Sequence, residues 1–311
     1  MIPVLHLEDF HSNKREQFVR DLGRTYEEIG FVSIRHHGFP VELSKELYSS
    51  VAQFFQLPAE TKMKYRRESL YGQRGYTPFG TEHAKDRKEG DLKEFWQFGP
   101  ELDVETLEER GYPANVQVQE LPEFFDKGIR TYRELLRIGR DMLKAISLYL
   151  GLEENYFEQF VIEGNSILRP IHYPPIEGDV GGAVRSAEHE DINLITLLMG
   201  ASAAGLQVKD RKGNWVDVVT QPDALVVNVG DMLQRLTNNV LRSTTHRVIN
   251  TQEALQGTSR YSIPFFLHPI SEMPLDCLSG CVSKEKPAEY APITAGQYLD
   301  ERLIEIGLKP A

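Results

Sequence analysis

The chain reads as mainly β with flanking helices, the β part being a sandwich or barrel such as a jelly roll. Three observations predict this. From about residue 164 the sequence changes to short apolar runs separated by turn residues. Upstream, apolar residues recur at helical spacing in three separate segments. The composition of the 311 residues, 41% hydrophobic and 26% charged, is that of a folded chain able to bury a sizeable core.

The first helix is predicted near 14–29, where Phe18, Leu22, Tyr26 and Ile29 form one apolar stripe. Asn13 can cap its start with Glu16 three residues on, and Gly30 suits a left-handed stop. Phe31-Val32-Ser33-Ile34 follows as a strand. A second helix is predicted at 41–56 on Leu43, Leu47, Val51, Phe54 and Phe55, closed by Leu57-Pro58. Residues 66–116 read as irregular: Arg66-Arg67, a Gly-rich run from Tyr71 to Tyr76, a charged run from Glu82 to Glu94, then apolar Phe95-Trp96-Gln97-Phe98. So long a loop suits a wall or lid over a site as well as a surface excursion. A long helix or helix pair spans 122–150, with Pro122 in its first turn and Gly151 at its stop. Strands are predicted at Ser166–Leu168, Ile192–Leu198, Gly205–Lys209, Trp215–Val218, Ala224–Val229, His246–Ile249 and Arg260–Leu267. Turn signals lie at Pro174-Pro175, Gly181-Gly182, Lys212-Gly213-Asn214, Gln221-Pro222-Asp223 and Gly257. Loops and one helix near 294–306 complete the chain.

The net charge of −11 disfavours nucleic acid or an anionic membrane as the main partner. Cys277 and Cys281 are too few for a disulfide framework or a four-thiolate zinc site, and suit a reducing compartment. The N-terminus reaches Glu8-Asp9 too early for a signal peptide. The stretch from Ile192 to Leu206 is too short and too polar to cross a bilayer. A soluble, cytoplasmic protein acting on a small molecule is expected.

The chemistry centres on His189-Glu190-Asp191. In extended chain, residues two apart share a face, so an imidazole and a carboxylate project together while Glu190 points away. These are two ligands of the facial arrangement used by non-haem Fe(II). Alone, His-x-Asp is common and reads as a surface pair. A third ligand must come from a neighbouring strand, and His246 opens one. Further on, Arg260 and Ser262 share a strand face, and a guanidinium with a hydroxyl beside it makes a socket for a carboxylate. An arginine heading so apolar a strand has few structural reasons to be there. Tyr173, at a strand end before Pro174-Pro175, is placed for its hydroxyl to reach the same group.

The order His189-x-Asp191, His246, Arg260-x-Ser262 resembles the Fe(II)/2-oxoglutarate-dependent oxygenases, and more narrowly their isopenicillin N synthase-like branch. The resemblance covers nearly the whole chain: Pro3-Val4-Leu5, Gly30-Phe31-Val32 with His37-Gly38, Leu57-Pro58, Gly75-Tyr76, Lys93-Glu94-Phe95, Tyr173-Pro174-Pro175, Val227-Asn228-Val229-Gly230-Asp231 and Thr237-Asn238-Asn239 match its landmarks. It implies a distorted double-stranded β-helix, a cupin-like jelly roll. One compact catalytic unit would comprise an N-terminal region (1–115), connecting helices (116–163), the jelly-roll core (164–270) and a C-terminal extension (271–311). His189, Asp191 and His246 would bind Fe(II). Arg260 and Ser262, with Tyr173, would bind 2-oxoglutarate. The chain departs from the family at Ile171, where Asn is frequent, and at His172, where Tyr is frequent.

The implied reaction couples dioxygen and oxidative decarboxylation of 2-oxoglutarate, giving succinate and carbon dioxide, to hydroxylation or a related oxidation of a substrate. Alternatives are a family oxidase or ethylene-forming activity on the same iron site, or a non-catalytic jelly-roll protein binding a small acid. The substrate is expected near Arg74, Tyr76, Phe95, Arg169, His172 and Phe266, with Arg169 suited equally to an acidic substrate group and to a structural ion pair. Asn228 and Asp231 are placed to support the core, but read first as a β-turn after the strand Ala224–Val229. His36 and His37, being adjacent, point apart and cannot readily share a metal. His268 ends the Arg260 strand too far along to join the ligands, and His83 reads as solvated surface. Gly178, Gly181 and Gly182 form no phosphate loop.

Overall fold

The structure, a computed structural model, describes residues 2–81, 91–175, 184–200, 204–219, 221, 223–251, 257–305 and 309. The readings of His83, of Gly178, Gly181 and Gly182, and of Pro222 lie outside the described residues.

Thirteen strands among the described residues form two sheets. They are β1 (Val4–His6), β2 (Phe31–Arg35), β3 (Gly75–Thr77), β4 (Glu94–Gln97), β5 (Ile167–Leu168), β6 (Ile171–Tyr173), β7 (Ser186–His189), β8 (Ile195–Met199), β9 (Leu206–Lys209), β10 (Trp215–Asp217), β11 (Leu225–Val229), β12 (His246–Val248) and β13 (Arg260–Leu267). The large sheet runs β1-β2-β11-β8-β13-β6-β4-β3, with β5 also on β13, and the small sheet runs β10-β9-β12-β7. Both sheets line one cavity, which makes the pair a jelly roll. The chain adds α1 (Leu7–Phe10), α2 (Arg15–Glu28), α3 (Val41–Gln56), α4 (Ala59–Met63), α5 (Val104–Arg110), α6 (Pro122–Tyr149), α7 (Glu158–Val161), α8 (Asp231–Leu236) and α9 (Ala295–Glu305).

The central strands explain their own position. β8 (Ile-Thr-Leu-Leu-Met) and β11 (Leu-Val-Val-Asn-Val) are buried at every residue, as expected of strands covered on both faces. On β13 the period of two sorts side chains cleanly. Arg260, Ser262, Pro264 and Phe266 line the cavity, while Phe265 packs edge-on against Tyr132 of α6 with ring centres 5.0 Å apart. α6, with Pro122 in its first turn, is the helical backing of the large sheet.

Gly30 stops α2 as the sequence predicts. Its φ is +75°, its N–H bonds the Thr25 carbonyl at 3.1 Å, and a Cβ would lie 2.2 Å from the Arg242 carbonyl oxygen. The α2 start differs from expectation. Lys14 occupies the cap position without a side-chain bond from Asn13, and the Ser12 hydroxyl accepts the Lys14 N–H at 3.2 Å instead.

The described residues of the 66–116 segment are less irregular than predicted, since β3, β4 and α5 lie among them, while most of the charged run from Glu82 to Glu94 lies outside the described residues. β3 and β4 are so short that no alternation shows in the sequence, and they exist because β6 offers an edge to pair with. Ile192–Leu194 is a bend rather than strand, and β8 begins at Ile195. Strands β1 and β7 carry too few residues for a periodic signal. Asn228 and Asp231 are not in a β-turn: Asn228 is a strand residue of β11 and Asp231 opens α8. Cys277 and Cys281 are free thiols, and no helix among the described residues is long and apolar enough to cross a membrane.

Candidate metal and cosubstrate site

Antiparallel pairing of β12 with β7 sets His246 opposite His189, with ring centres 4.3 Å apart. Two residues past His189, just before the bend at 192–194, Asp191 lies beside both rings. Asp191 Oδ1 lies 3.9 Å from His189 Nε2 and 3.6 Å from His246 Nε2. One ligating atom from each of the three residues fits within a span of 4.8 Å.

The surrounding contacts fix which atoms face inward. His189 Nδ1 lies 2.7 Å from the Ala187 carbonyl and His246 Nδ1 lies 3.1 Å from the Thr244 carbonyl. A carbonyl only accepts, so each Nδ1 carries the proton and each Nε2 offers a lone pair to the centre. Asp191 Oδ2 accepts from Thr196 Oγ1 at 2.7 Å and from Asn228 Nδ2 at 2.8 Å, leaving Oδ1 toward the imidazoles. Asn193 Nδ2 donates to Thr196 Oγ1 at 2.8 Å, which commits the threonine proton to Asp191. Thr196 and Asn228 are cross-strand partners, so one β8–β11 register places both donors.

Burial, then the neighbouring His246, depresses the His189 pKa to about 4, keeping the ring neutral. Burial acts to raise the Asp191 carboxyl, but the His246 and His189 rings and the two donors outweigh it and hold the pKa down. The result is two imidazole Nε2 atoms and one carboxylate oxygen around a common point. That donor set suits Fe(II), and its faces away from the protein side remain open for further ligands.

The site opens into a cavity of about 450 Å³. Arg260 is 1% exposed on one wall, its guanidinium 5.0 Å above the ring of its strand partner Tyr173. Ser262, two residues on, lines the same wall. Arg169 also lines the cavity, held between the Phe95 ring at 4.4 Å and the Phe266 ring at 5.1 Å, with its Nε donating to Gln97 Oε1 at 3.0 Å.

The remaining predicted pocket residues lie elsewhere. Arg74 is buried beside the cavity, donating to the Gln73 and Pro113 carbonyls and to Asn165. Phe95 lies beneath Arg169 rather than on the cavity wall. His172 points to the opposite side of β6 from Ile171 and Tyr173, because alternate residues of a strand take alternate faces. There it stacks on Tyr261 at 4.9 Å and bonds Glu94 and Ser259. Tyr76 donates to the same Glu94, which also accepts from Lys62 at 2.7 Å.

Several cavity residues escape a reading of the sequence. His268 lines the cavity because it continues the 260-262-264-266 face, a signal that the sequence does contain. Burial, then the charge of Arg169, lowers its pKa to about 3. Lys93 and Asp91 form a buried ion pair of 2.9 Å on the wall, and Asp91 also accepts the Ala187 N–H next to β7's metal-facing end. Arg302 reaches the cavity from α9, a placement no local pattern announces.

Known proteins agree with this arrangement. Residues 2–122 match the family described as the N-terminal region of the non-haem dioxygenase in morphine synthesis, and residues 164–269 match the 2OG-Fe(II) oxygenase superfamily. A proline hydroxylase of Petromyces alliaceus is 32% identical, with 94% of each chain covered. The crystal structure of a protein assigned to the 2OG-Fe(II) oxygenase family from Caulobacter crescentus is 41% identical, covers 97% of this chain and 98% of its own, and superposes with a TM-score of 0.88. A full-length Neurospora crassa protein, crystallised in complex with alpha-KG and thymine, is 28% identical, with 97% and 96% covered and a TM-score of 0.84. The chain therefore belongs to the 2OG-Fe(II) oxygenase superfamily and is an Fe(II)- and 2-oxoglutarate-dependent oxygenase.

Proposed function

We propose that His189, Asp191 and His246 hold the Fe(II), that Arg260 and Ser262 bind the distal carboxylate of 2-oxoglutarate beside Tyr173, and that the substrate is a small molecule presenting a carbonyl or carboxylate oxygen to Arg169 and Gln97. The observation that carries this reading is the convergence of three ligating atoms within 4.8 Å in the same cavity that Arg260 and Ser262 line.

Iron held by His189, Asp191 and His246 would supply the oxidising chemistry, coupling dioxygen and the decarboxylation of 2-oxoglutarate to succinate and carbon dioxide with oxidation of the substrate. The chain's own residues orient and exclude. Thr196 and Asn228 keep the Asp191 carboxylate turned, and the Ala187 and Thr244 carbonyls keep both imidazoles in the ligating tautomer. Arg260 sits dry on the wall, where a bidentate carboxylate contact gains strength from the low dielectric. Phe266 and the aliphatic lining, including Ile171, Ile192 and Leu299, keep water from the reacting centre. Arg169 lies against the Phe95 and Phe266 rings and bonds Gln97, and these contacts position its guanidinium on the wall where a substrate acceptor would meet it. The thymine-bound complex of the Neurospora relative, whose ligand bears ring carbonyls, supports such a substrate class.

The N-terminal match and the landmarks of the sequence favour the isopenicillin N synthase-like branch, with 1–115, 116–163, 164–270 and 271–311 acting as one catalytic unit. The acidic net charge favours an enzyme without a nucleic-acid or membrane partner, and the free thiols of Cys277 and Cys281 suit the reducing cytoplasm.

The test is an anaerobic titration of the Fe(II) protein with 2-oxoglutarate, followed by a substrate panel under air. A visible charge-transfer band should grow with 2-oxoglutarate. Arg260→Met should weaken cosubstrate binding by roughly 10- to 100-fold, as loss of a buried charged hydrogen bond of about 1.5–3 kcal/mol implies. Succinate should form in step with substrate oxidation. Turnover without 2-oxoglutarate, or an unchanged affinity in Arg260→Met, overturns the assignment.

A further inference from the structure

A second group of metal-ligating side chains lies on the outside of the large sheet, formed by His6, Glu8 and His36. His6 ends β1, Glu8 lies in the first turn of α1, and His36 directly follows β2. Parallel pairing of β1 with β2 sets His6 against Arg35, one residue from His36. The imidazoles meet through their Nδ1 atoms, 3.2 Å apart, with ring centres 4.6 Å apart, and Glu8 Oε1 lies 2.5 Å from His36 Nδ1. All three ligating atoms fall within 4.8 Å of one another.

Hydrogen bonding accounts poorly for this convergence. His36 Nδ1 carries at most one proton, which can point at His6 or at Glu8 but not at both. If that proton faces Glu8, His6 Nδ1 meets an N–H that is aimed elsewhere. If His6 supplies the proton instead, the His36 lone pair faces the carboxylate oxygen at 2.5 Å. A cation removes the conflict, because every converging atom can then offer a lone pair. We propose that His6, Glu8 and His36 form a second, surface site for a divalent first-row transition cation of the Zn(II) class, completed by water. Two imidazoles and one carboxylate suit such an ion. Glu8 must swing off His36 to take its own coordination position, and its side chain is 63% exposed. The metal adds a tie between the β1–α1 junction and the end of β2, beyond the three-residue strand pair and the core packing of Leu7 and Phe10. The site is accessible to solvent, so the ion exchanges readily.

The two sites are separable in the full-length protein with Zn(II) as the probe. After dialysis against Zn(II) and metal analysis, the wild type should retain two equivalents, Asp191→Ala one, His36→Ala one, and the double variant none. Zn(II) should raise the melting temperature of Asp191→Ala and leave that of the double variant unchanged. Glu8→Gln, which keeps the shape of the side chain, should bind the surface ion more weakly than wild type with an unchanged circular dichroism spectrum. His6→Gln serves as a second imidazole deletion should His36→Ala fold poorly. Retention of two equivalents by folded His36→Ala or His6→Gln, or of none by folded Asp191→Ala, overturns the proposal. Because the readout is stoichiometry, it stands apart from whether the cavity site turns over substrate.

Discussion

Asn228→Ala tests the claim that the orientation of Asp191, and not only its presence, makes the metal site. Asp191 Oδ2 has two donors, Thr196 Oγ1 at 2.7 Å and Asn228 Nδ2 at 2.8 Å. Removing Asn228 leaves a buried carboxylate oxygen half satisfied, free to rotate about the threonine bond and take Oδ1 away from the imidazoles. Loss of such an outer contact costs about 10- to 100-fold in metal affinity, which is about 1.4–2.7 kcal/mol. The assay is anaerobic equilibrium binding of Fe(II), with Mn(II) as an air-stable check. Thermal melts of the metal-free protein confirm that the variant is folded. Thr196→Val should fall in the same range, and the double variant should lose less than the sum, because both donors serve one oxygen. Asn228→Asp should be worse than Asn228→Ala, since a second carboxylate would face the first. An Asn228→Ala affinity within twofold of wild type would refute the argument that Oδ2 is held in place by its donors.

Three further outcomes follow from the same geometry. Arg169→Met should raise KM for the substrate about tenfold or more, the loss of one charged hydrogen bond, and leave 2-oxoglutarate affinity unchanged; an equal loss of both would place Arg169 in general packing instead. His268 stays neutral in the folded chain down to about pH 3, whereas an unfolded histidine protonates near 6.5. Between those values the unfolded state binds the extra proton, so stability falls as pH drops through 6.5. At about pH 5 the loss is about 2 kcal/mol, and by urea denaturation His268→Asn should lose less stability, by that amount, between pH 6.5 and about 5, with parallel pH profiles counting against the assignment. Gly30→Ala forces a Cβ into a left-handed residue and to 2.2 Å from the Arg242 carbonyl oxygen. It should destabilise by about 2 kcal/mol or more, and an unchanged denaturation midpoint would show that the α2 stop can relax.

The limits of local pattern are visible in particular residues. The helices at 41–56 and 122–150 are legible because long apolar stripes repeat many times over. Strand β13 is legible to its ends, since Arg260, Ser262, Phe265 and Leu267 alternate between two differently covered faces. His268 lies too far along the chain to reach the metal ligands, yet the same alternation carries it into the cavity. His172 has the chemistry of a pocket residue, yet that alternation turns it away.

The sequence by itself determined the longer helices α2, α3, α6 and α9, the β-rich core and the chemical types at the centre, because these depend on periodicity and on what an imidazole, a carboxylate or a guanidinium can do. Only the tertiary structure decided that Asn228 braces Asp191, that β3 and β4 are strands, that Arg302 faces the cavity and that His6 meets His36. Each of these rests on a partner distant in sequence, supplied by sheet register or by helix docking. A residue's own neighbours in the chain carry no record of such a partner.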